Sequence, residues 1–392
     1  MTSVCFYFQV HQPFRLKDYD FSAIGEDHSY EYEEKNAHIL NRIADRCYLP
    51  ANKLMLKLIK KHKGKFKITF SISGCAIDQF ALYRPDVLLS FKDLAKTGCV
   101  EFLAETYYHS LSFLYSTKEF ERQINKHREK IYTLFGQKSK VFRNTELIYS
   151  NELAKIIAKM GFNSVLCEGV DKLLGGRNRS LLYRAKNAQN IKCLLKHYIL
   201  SDDIAFRFSD PSWSEYPLSA EKFVQWVKNT GYGAVNLFLD YETFGEHHTK
   251  ESGIFEFLEA IPSLMLADKQ MTFHTPSELL DQIPIADDYD VPEPVSWADE
   301  ARDLSAWLEN DMQKEAVRRI YNLEETVLQK NDDKLLDTWG RLQTSDHFYY
   351  MSTKYQNDGK VHAYFSPYNS PFDAYINYMN VVSDFENLLQ GY

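Results

Sequence analysis

The chain has 392 residues, more than twice the roughly 150 of an ordinary domain, which predicts one large domain with a smaller one attached. Six widely spaced cysteines with no CxxC pair exclude a small disulfide scaffold and a zinc-type ligand set, and a net charge of −8 (46 basic against 54 acidic residues) excludes a global basic field for nucleic acid or anionic membranes. Aromatic residues reach 15% of the chain, so rings are available both to fill a core and to stack on a sugar.

The N-terminus, MTSVCFYFQVHQPF, has no basic leader and soon turns polar, and no stretch reaches the roughly 18 apolar residues of a membrane span; a cytoplasmic protein is expected. Short runs rich in β-branched and aromatic residues follow in chain order at 4–10, 66–72, 100–103, 140–142, 164–167, 191–195, 234–239 and 271–273. Near-continuous apolar strands alternating with helices predict a parallel sheet buried on both faces. Two helix starts are explicit: Ser116 with Glu119, and Thr275-Pro276 with Glu278, both capping-box patterns.

Polar residues collect just after these strands. His11-Gln12-Pro13 follow the first, Glu105 and His109 the third, Glu146 the fourth and Glu168 the fifth; Asp240 and Glu242 end the seventh, and His274 the last. In a parallel barrel such positions share the C-terminal rim where catalytic groups gather. An open doubly wound sheet is the rival, since its ligands also bind beyond the carboxyl ends of strands. The segment IPIADDYDVPEPVSWADE reads as a loop, and helix-period runs at 312–329, 332–343 and 372–389 follow it. This predicts a parallel α/β domain over 1–285 and a helical domain over 286–392 packed on it.

The densest polar cluster is Asp240-Tyr241-Glu242-Thr243-Phe244-Gly245-Glu246-His247-His248. Period-2 alternation puts Asp240 and Glu242 on one strand face, where two carboxylates are costly to desolvate without a partner or a task. Together with Glu146 in VFRNTELIY this segment suggests a carboxylate pair, since glycoside hydrolysis needs one carboxylate near the anomeric carbon and one protonated acid beside the leaving oxygen. GxGxxG, Walker, GxSxG and HExxH signatures are absent. Metal binding by His11, His109, His247, His248 and His274, as in a deacetylase-like barrel, is the alternative to their use as sugar-hydroxyl hydrogen bonders.

The first strand with His11-Gln12-Pro13, the stretch 142–149 (FRNTELIY) and the stretch 239–247 (LDYETFGEH) resemble, in order and spacing, three motifs of glycoside hydrolase family 57. Ser296-Trp297-Ala298-Asp299, Ala306-Trp307-Leu308 and the stretch 342–347 (LQTSDH) resemble later regions of its α-amylase-like branch; the remaining motif matches only around Gly74 and Gln79. The resemblance implies an incomplete, TIM-like (β/α)7 barrel with a C-terminal helical domain. It implies a retaining enzyme for α-1,4-glucans, with Glu146 as nucleophile and Asp240 as general acid/base. His11, Glu242 and Trp297 fall at its sugar-binding positions, and Glu105, His109 and His247 join them as candidates for binding substrate. No cofactor, metal, nucleic acid or membrane is expected, only an α-glucan or oligosaccharide; the oligomeric state is left open. A 4-α-glucanotransferase, branching enzyme or α-galactosidase would share the same pair, and a non-catalytic glucan-binding protein would share the cleft.

Overall fold

The computed structural model describes residues 1–391, apart from the side chain of Gln356. Its strands are β1 (Thr2–Val10), β2 (Ile68–Ile72), β3 (Val100–Phe102), β4 (Val141–Phe142), β5 (Ser164–Glu168), β6 (Leu182–Ala185), β7 (Ala188–Lys196), β8 (Gly233–Asp240), β9 (Met271–Phe273) and β10 (Ile285–Tyr289). Parallel pairing runs β1-β2-β3, then β4-β5-β7-β8 and back to β1. A parallel bridge between Ala104 and Phe142 joins the β3 side to β4, with Arg143 N donating to the Ala104 carbonyl at 2.9 Å. The sheet therefore closes on itself as a ring of parallel strands, and the open-sheet rival falls.

All nine residues of β1 are buried, as expected of a barrel strand with helices outside and side chains within. Alternation sorts them. Val4, Phe6, Phe8 and Val10 pack outward with helix residues such as Leu40, Met55, Phe80 and Ile254. Cys5 and Tyr7 pack inward with Leu103, Val141, Leu166, Leu194, Ala234 and Phe238, contributed by the other strands of the ring. One more step of two along each strand raises the inward positions to the barrel mouth, where the register pairs Gln9 with Asp240.

Three expectations change. The segment read as loop after residue 283 contains β10, which pairs with β6; β6 itself folds back antiparallel on β7, extending the sheet outside the ring. The charged sequence of β10, IADDY, hides this strand because most of its side chains face solvent. β9 pairs with Thr2–Val4 at the start of β1, so His274, within reach of Ser3 at 3.2 Å, lies near the end opposite the mouth and not on the rim. The Ser116 capping box is half made: Ser116 accepts from Glu119 N at 3.1 Å, but the Glu119 carboxylate turns to Arg122 and Gln123.

Helices from Asp311–Tyr321 to Pro371–Gln390 form a second core around Trp307, Trp339, Phe348, Tyr378 and Phe385. They meet the mouth directly: Ser110 bridges to Thr344, and the Tyr108 hydroxyl donates to Asp337 at 2.6 Å. Among the described residues no helix is long and apolar enough to cross a membrane.

Candidate active site at the barrel mouth

Just above the apolar interior, Arg143 follows β4, Lys196 ends β7 and Asp240 ends β8, each in phase with the inward residues of its strand. Arg143 is fully buried and donates to the Gln9 side chain across the mouth. The segment after β4 then turns sharply. Glu146 and Leu147 adopt left-handed backbone (φ 54° and 52°), with Leu147 N donating to the Asn144 carbonyl at 3.0 Å and Asn144 Nδ2 to the Ile148 carbonyl at 3.1 Å. Such a conformation costs about 1–3 kcal/mol at a non-glycine residue and persists only where surrounding contacts impose it.

The Glu146 carboxylate accepts from His109 Nε2 at 2.7 Å and from Trp297 Nε1 at 2.6 Å, and its carbonyl accepts from Trp297 N at 3.1 Å. Burial favours its neutral form, yet the hydrogen bond and charge of His109, the charge of Arg143 and the indole N–H outweigh burial and hold it at about 2. His109, also left-handed (φ 53°) and fully buried, lies between two carboxylates, with Nδ1 3.2 Å from Glu105. Burial pushes its pKa down, but bonds to Glu105 and Glu146 raise it to about 9, so it is an imidazolium at neutral pH. Glu105 is drawn down in turn: burial raises it, and His109 more than compensates.

Asp240 behaves in the opposite way. Burial and the Glu146 charge push its carboxyl up, Arg143, Lys196 and His109 pull it back, and it settles at about 6. Glu242, buried beside the mouth and accepting from the Tyr48 hydroxyl and from Gln12 Nε2, is raised by burial and by Asp240 to about 8. Gly245, in the same loop, has φ 112° and lies so close to the Arg46 carbonyl that a Cβ would overlap it.

His11 stacks on His109, ring centroids 4.0 Å apart and planes 21° from parallel. Its Nδ1 is 2.7 Å from Ser73 Oγ and its Nε2 is 2.9 Å from Asp346 Oδ2. Asp346 lies on the helix Ser345–Tyr349; burial raises its carboxyl, but its hydrogen bond from His11 and the nearby charge of His109 hold it well below the usual range. Trp297 reaches the mouth as a wall: the Arg143 guanidinium and Lys196 Nζ each lie 5.1 Å from its ring centroid.

The expected residues Glu146, Asp240, His11, Glu105, His109, Glu242 and Trp297 thus meet around one mouth. His247 stands apart: its ring packs edge-on against Tyr364 and Phe365, and burial lowers it to about 4. His248 is turned to the carbonyls of Ile204 and Ala205, and Glu168 pairs with Arg302 at 2.9 Å. With His274 remote, the five histidines do not converge, and no group of three or more His, Cys, Asp or Glu among the described residues could hold a metal ion. Sequence reasoning missed Arg143, Lys196, Ser73 and Asp346. Parity along β4 and β7 could have found the first two, and Asp346 lies in the stretch 342–347 that the family resemblance singled out; nothing in the order of the chain ties Ser73 to the mouth.

A model of the family described as "Glycosyl hydrolase family 57" matches residues 5–292. A protein of Methanocaldococcus jannaschii, provisionally assigned as an alpha-amylase, is 41% identical over 395 residues, covering 98% of this chain and 84% of its own length. The fold is shared with the GH57-type branching enzyme of Pyrococcus horikoshii (TM-score 0.70, 15% identity, 93% of this chain and 87% of that one). It is shared also with the 4-alpha-glucanotransferase of Thermococcus litoralis (TM-score 0.64, 16% identity, 88% of this chain), of whose length the chain spans 56%. The family model's match across the barrel and 41% identity over nearly the whole chain lead to one assignment: the chain belongs to glycosyl hydrolase family 57.

Proposed function

We propose that the protein is a retaining glycoside hydrolase acting on α-1,4-glucans such as starch, glycogen and maltooligosaccharides, with Glu146 as nucleophile and Asp240 as general acid/base. The observation that carries this reading is a pair of carboxyls at one mouth in opposite surroundings: Glu146 accepts from the N–H groups of His109 and Trp297, while Asp240 is pushed up by burial and by the Glu146 charge. In the first step a Glu146 oxygen attacks the anomeric carbon as the glycosidic bond breaks, and the Asp240 proton passes to the leaving oxygen. In the second, Asp240 takes a proton from water, which displaces Glu146 from the sugar. Arg143, His109 and the Trp297 N–H stabilise the Glu146 anion before attack and after its release. Trp297 offers its ring to the sugar, with His11 and Glu242 as hydroxyl partners. The M. jannaschii relative and the two structural relatives support an α-glucan substrate. A 4-α-glucanotransferase would use the same two steps, with a sugar hydroxyl in place of water.

Incubation with maltooligosaccharides and separation of products by size tests the reading. Shorter sugars alone indicate hydrolysis, a ladder of shorter and longer sugars indicates transfer, and unchanged sugars that still bind indicate a non-catalytic glucan-binding protein. Glu146→Gln should lower kcat at least about 10³-fold, roughly 4 kcal/mol of lost transition-state stabilisation, with binding retained. Asp240→Asn should cripple cleavage of unactivated glucans but spare the first step on an activated aryl glycoside, and azide should restore its turnover. Full activity of Glu146→Gln would remove Glu146 from the role. Retention also requires carboxyl groups about 5–5.5 Å apart, whereas about 6.5–9.5 Å in a substrate complex would indicate inversion.

A further inference from the structure

The nucleophile candidate is held by a charged histidine whose outer face is covered by a second histidine, and a stacked pair of imidazoles cannot readily carry two protons. Which ring is charged is decided by what lies at their edges. Both nitrogens of His109 face carboxylates, Glu105 at 3.2 Å and Glu146 at 2.7 Å, which calls for two N–H donors. His11 meets a carboxylate only at Nε2, Asp346 at 2.9 Å; at Nδ1 it meets the Ser73 hydroxyl at 2.7 Å. Ser73 is the N-cap of the helix Gly74–Tyr83, and its oxygen accepts from Ala76 N at 3.2 Å. With that lone pair occupied, its O–H is free to donate, and Nδ1 of His11 is the acceptor beside it.

We propose that Ser73 and Asp346 are positioning residues for the nucleophile: they hold His11 as the neutral ring bearing its hydrogen on Nε2, so that its face supports the imidazolium of His109, which in turn keeps Glu146 ionised and aimed. The last part of this chain of contacts rests on the role proposed for Glu146. Asp346 comes from the helical region, so that region acts on the barrel's chemistry without touching the Glu146 carboxylate. Other charged and titratable groups facing this pair and its carboxylates are Arg143 and Asp240, near His109, His347, beside Asp346 and His11, and Tyr350, beside Asp346; His347 is pushed down to about 4, principally by burial, and stays neutral, and burial keeps the Tyr350 hydroxyl protonated. Gln9 Nε2, 3.3 Å from His109 Nε2, is the competing contact. Its carbonyl oxygen is committed to Arg143, so it can only donate, and the shorter approach of Glu146 decides that the His109 nitrogen is protonated.

Nitrogen NMR of the full-length protein labelled with ¹⁵N-histidine tests this without any turnover. At pH 7 His109 should show two protonated nitrogens, and His11 one, at Nε2. A doubly protonated His11, or a His109 whose Nε2 is bare and accepts from Gln9, would overturn the proposal. Asp346→Ala should shift the His109 resonances, lower kcat roughly 10–100-fold with a smaller change in KM, and move the acidic limb of the pH profile upward, because a mispositioned imidazolium no longer holds Glu146 ionised. Asp346→Asn, which keeps an acceptor for Nε2–H, should recover most of kcat, and Ser73→Thr, which keeps both cap and donor, should behave as wild type while Ser73→Ala does not. If Asp346→Ala folds, as judged by its melting curve, yet leaves the His109 resonances and the acidic limb where they were, the proposal fails. If the histidine pattern holds but the native protein cleaves no glycoside, the proposed function fails and the stacked arrangement stands as structural support for a binding cleft.

Discussion

At the level of single residues the mouth works by separating equal groups. Glu146 and Asp240 have similar intrinsic acidity, and the difference between them comes from neighbours: His109 and Trp297 donate directly to Glu146, whereas no protein group donates to Asp240 among the described residues. If Asp240 is the acid proposed above, kcat/KM on an unactivated glucan should decline as pH rises above about 6, when Asp240 loses its proton, and the acidic limb should lie far lower, near the about 2 of Glu146. A profile whose alkaline limb is absent up to pH 9 would show that Asp240 is not the acid. Glu242 gives a stability counterpart. Its folded value of about 8 exceeds the ordinary 4.5, so between these limits the native state holds a proton that the unfolded chain has released. Stability is therefore highest below about 4.5 in this contribution and is lost as pH rises through 8, by on the order of 4 kcal/mol. Chemical denaturation at pH 5 and pH 8 should show a smaller difference in Glu242→Gln than in wild type.

At the level of elements, alternation along the strands does two jobs with one rule. The inward positions of the ring are apolar in its lower part, where Cys5, Tyr7, Leu166, Leu194 and Phe238 fill the interior, and polar at its top, where Gln9, Lys196 and Asp240 surround the mouth. A segment outside the ring then completes it: Trp297 is fastened to Glu146 through both its backbone N and its indole N–H. Two substitutions separate its contributions. Trp297→Phe removes the N–H but keeps a ring, so the acidic limb should move to higher pH with affinity nearly kept. Trp297→Ala removes both and should weaken oligosaccharide binding by about 1–3 kcal/mol, the range measured for one stacking platform on nucleobases. Calorimetric titration with a maltooligosaccharide, beside melting curves, distinguishes this from a ring that only fills space: unchanged affinity with a lowered Tm would assign Trp297 to packing.

At the level of the whole molecule, the helical region is part of the mouth. Asp337 accepts from Tyr108 at 2.6 Å and pairs with Lys126 at 3.0 Å and Arg341 at 2.9 Å; the chain continues through Thr344, bridged to Ser110, into the helix that carries Asp346, bonded to His11. Removing Asp337 leaves the Tyr108 hydroxyl and Lys126 without their carboxylate and Arg341 with Glu31 alone, so Asp337→Ala should destabilise the protein by about 1–3 kcal/mol in a denaturant titration. Because the same seam positions His11, its kcat should fall as well; wild-type kcat with full loss of stability would mean that the seam holds the two regions together and nothing more.

Much of this was legible along the chain. Apolar runs bounded by polar residues identify the ring strands, because a strand buried on both faces must be apolar throughout. The polar residue just past a run identifies Glu105 and Asp240, because inward parity at a strand's end leads to the mouth; Glu146 is out of phase with Val141 and reaches the mouth through the left-handed turn after β4. β10 was not legible, since a solvated strand carries no such pattern, and His274 misled, since a strand's end indicates the rim only when its register with β1 is known. Ionisation was beyond sequence altogether. The proton on His109, its absence from Glu146 and the grip of Asp346 on His11 depend on which groups come within about 3 Å of one another after folding, and hydrogen bonds and buried charge fall off too steeply with distance for chain order to stand in for it.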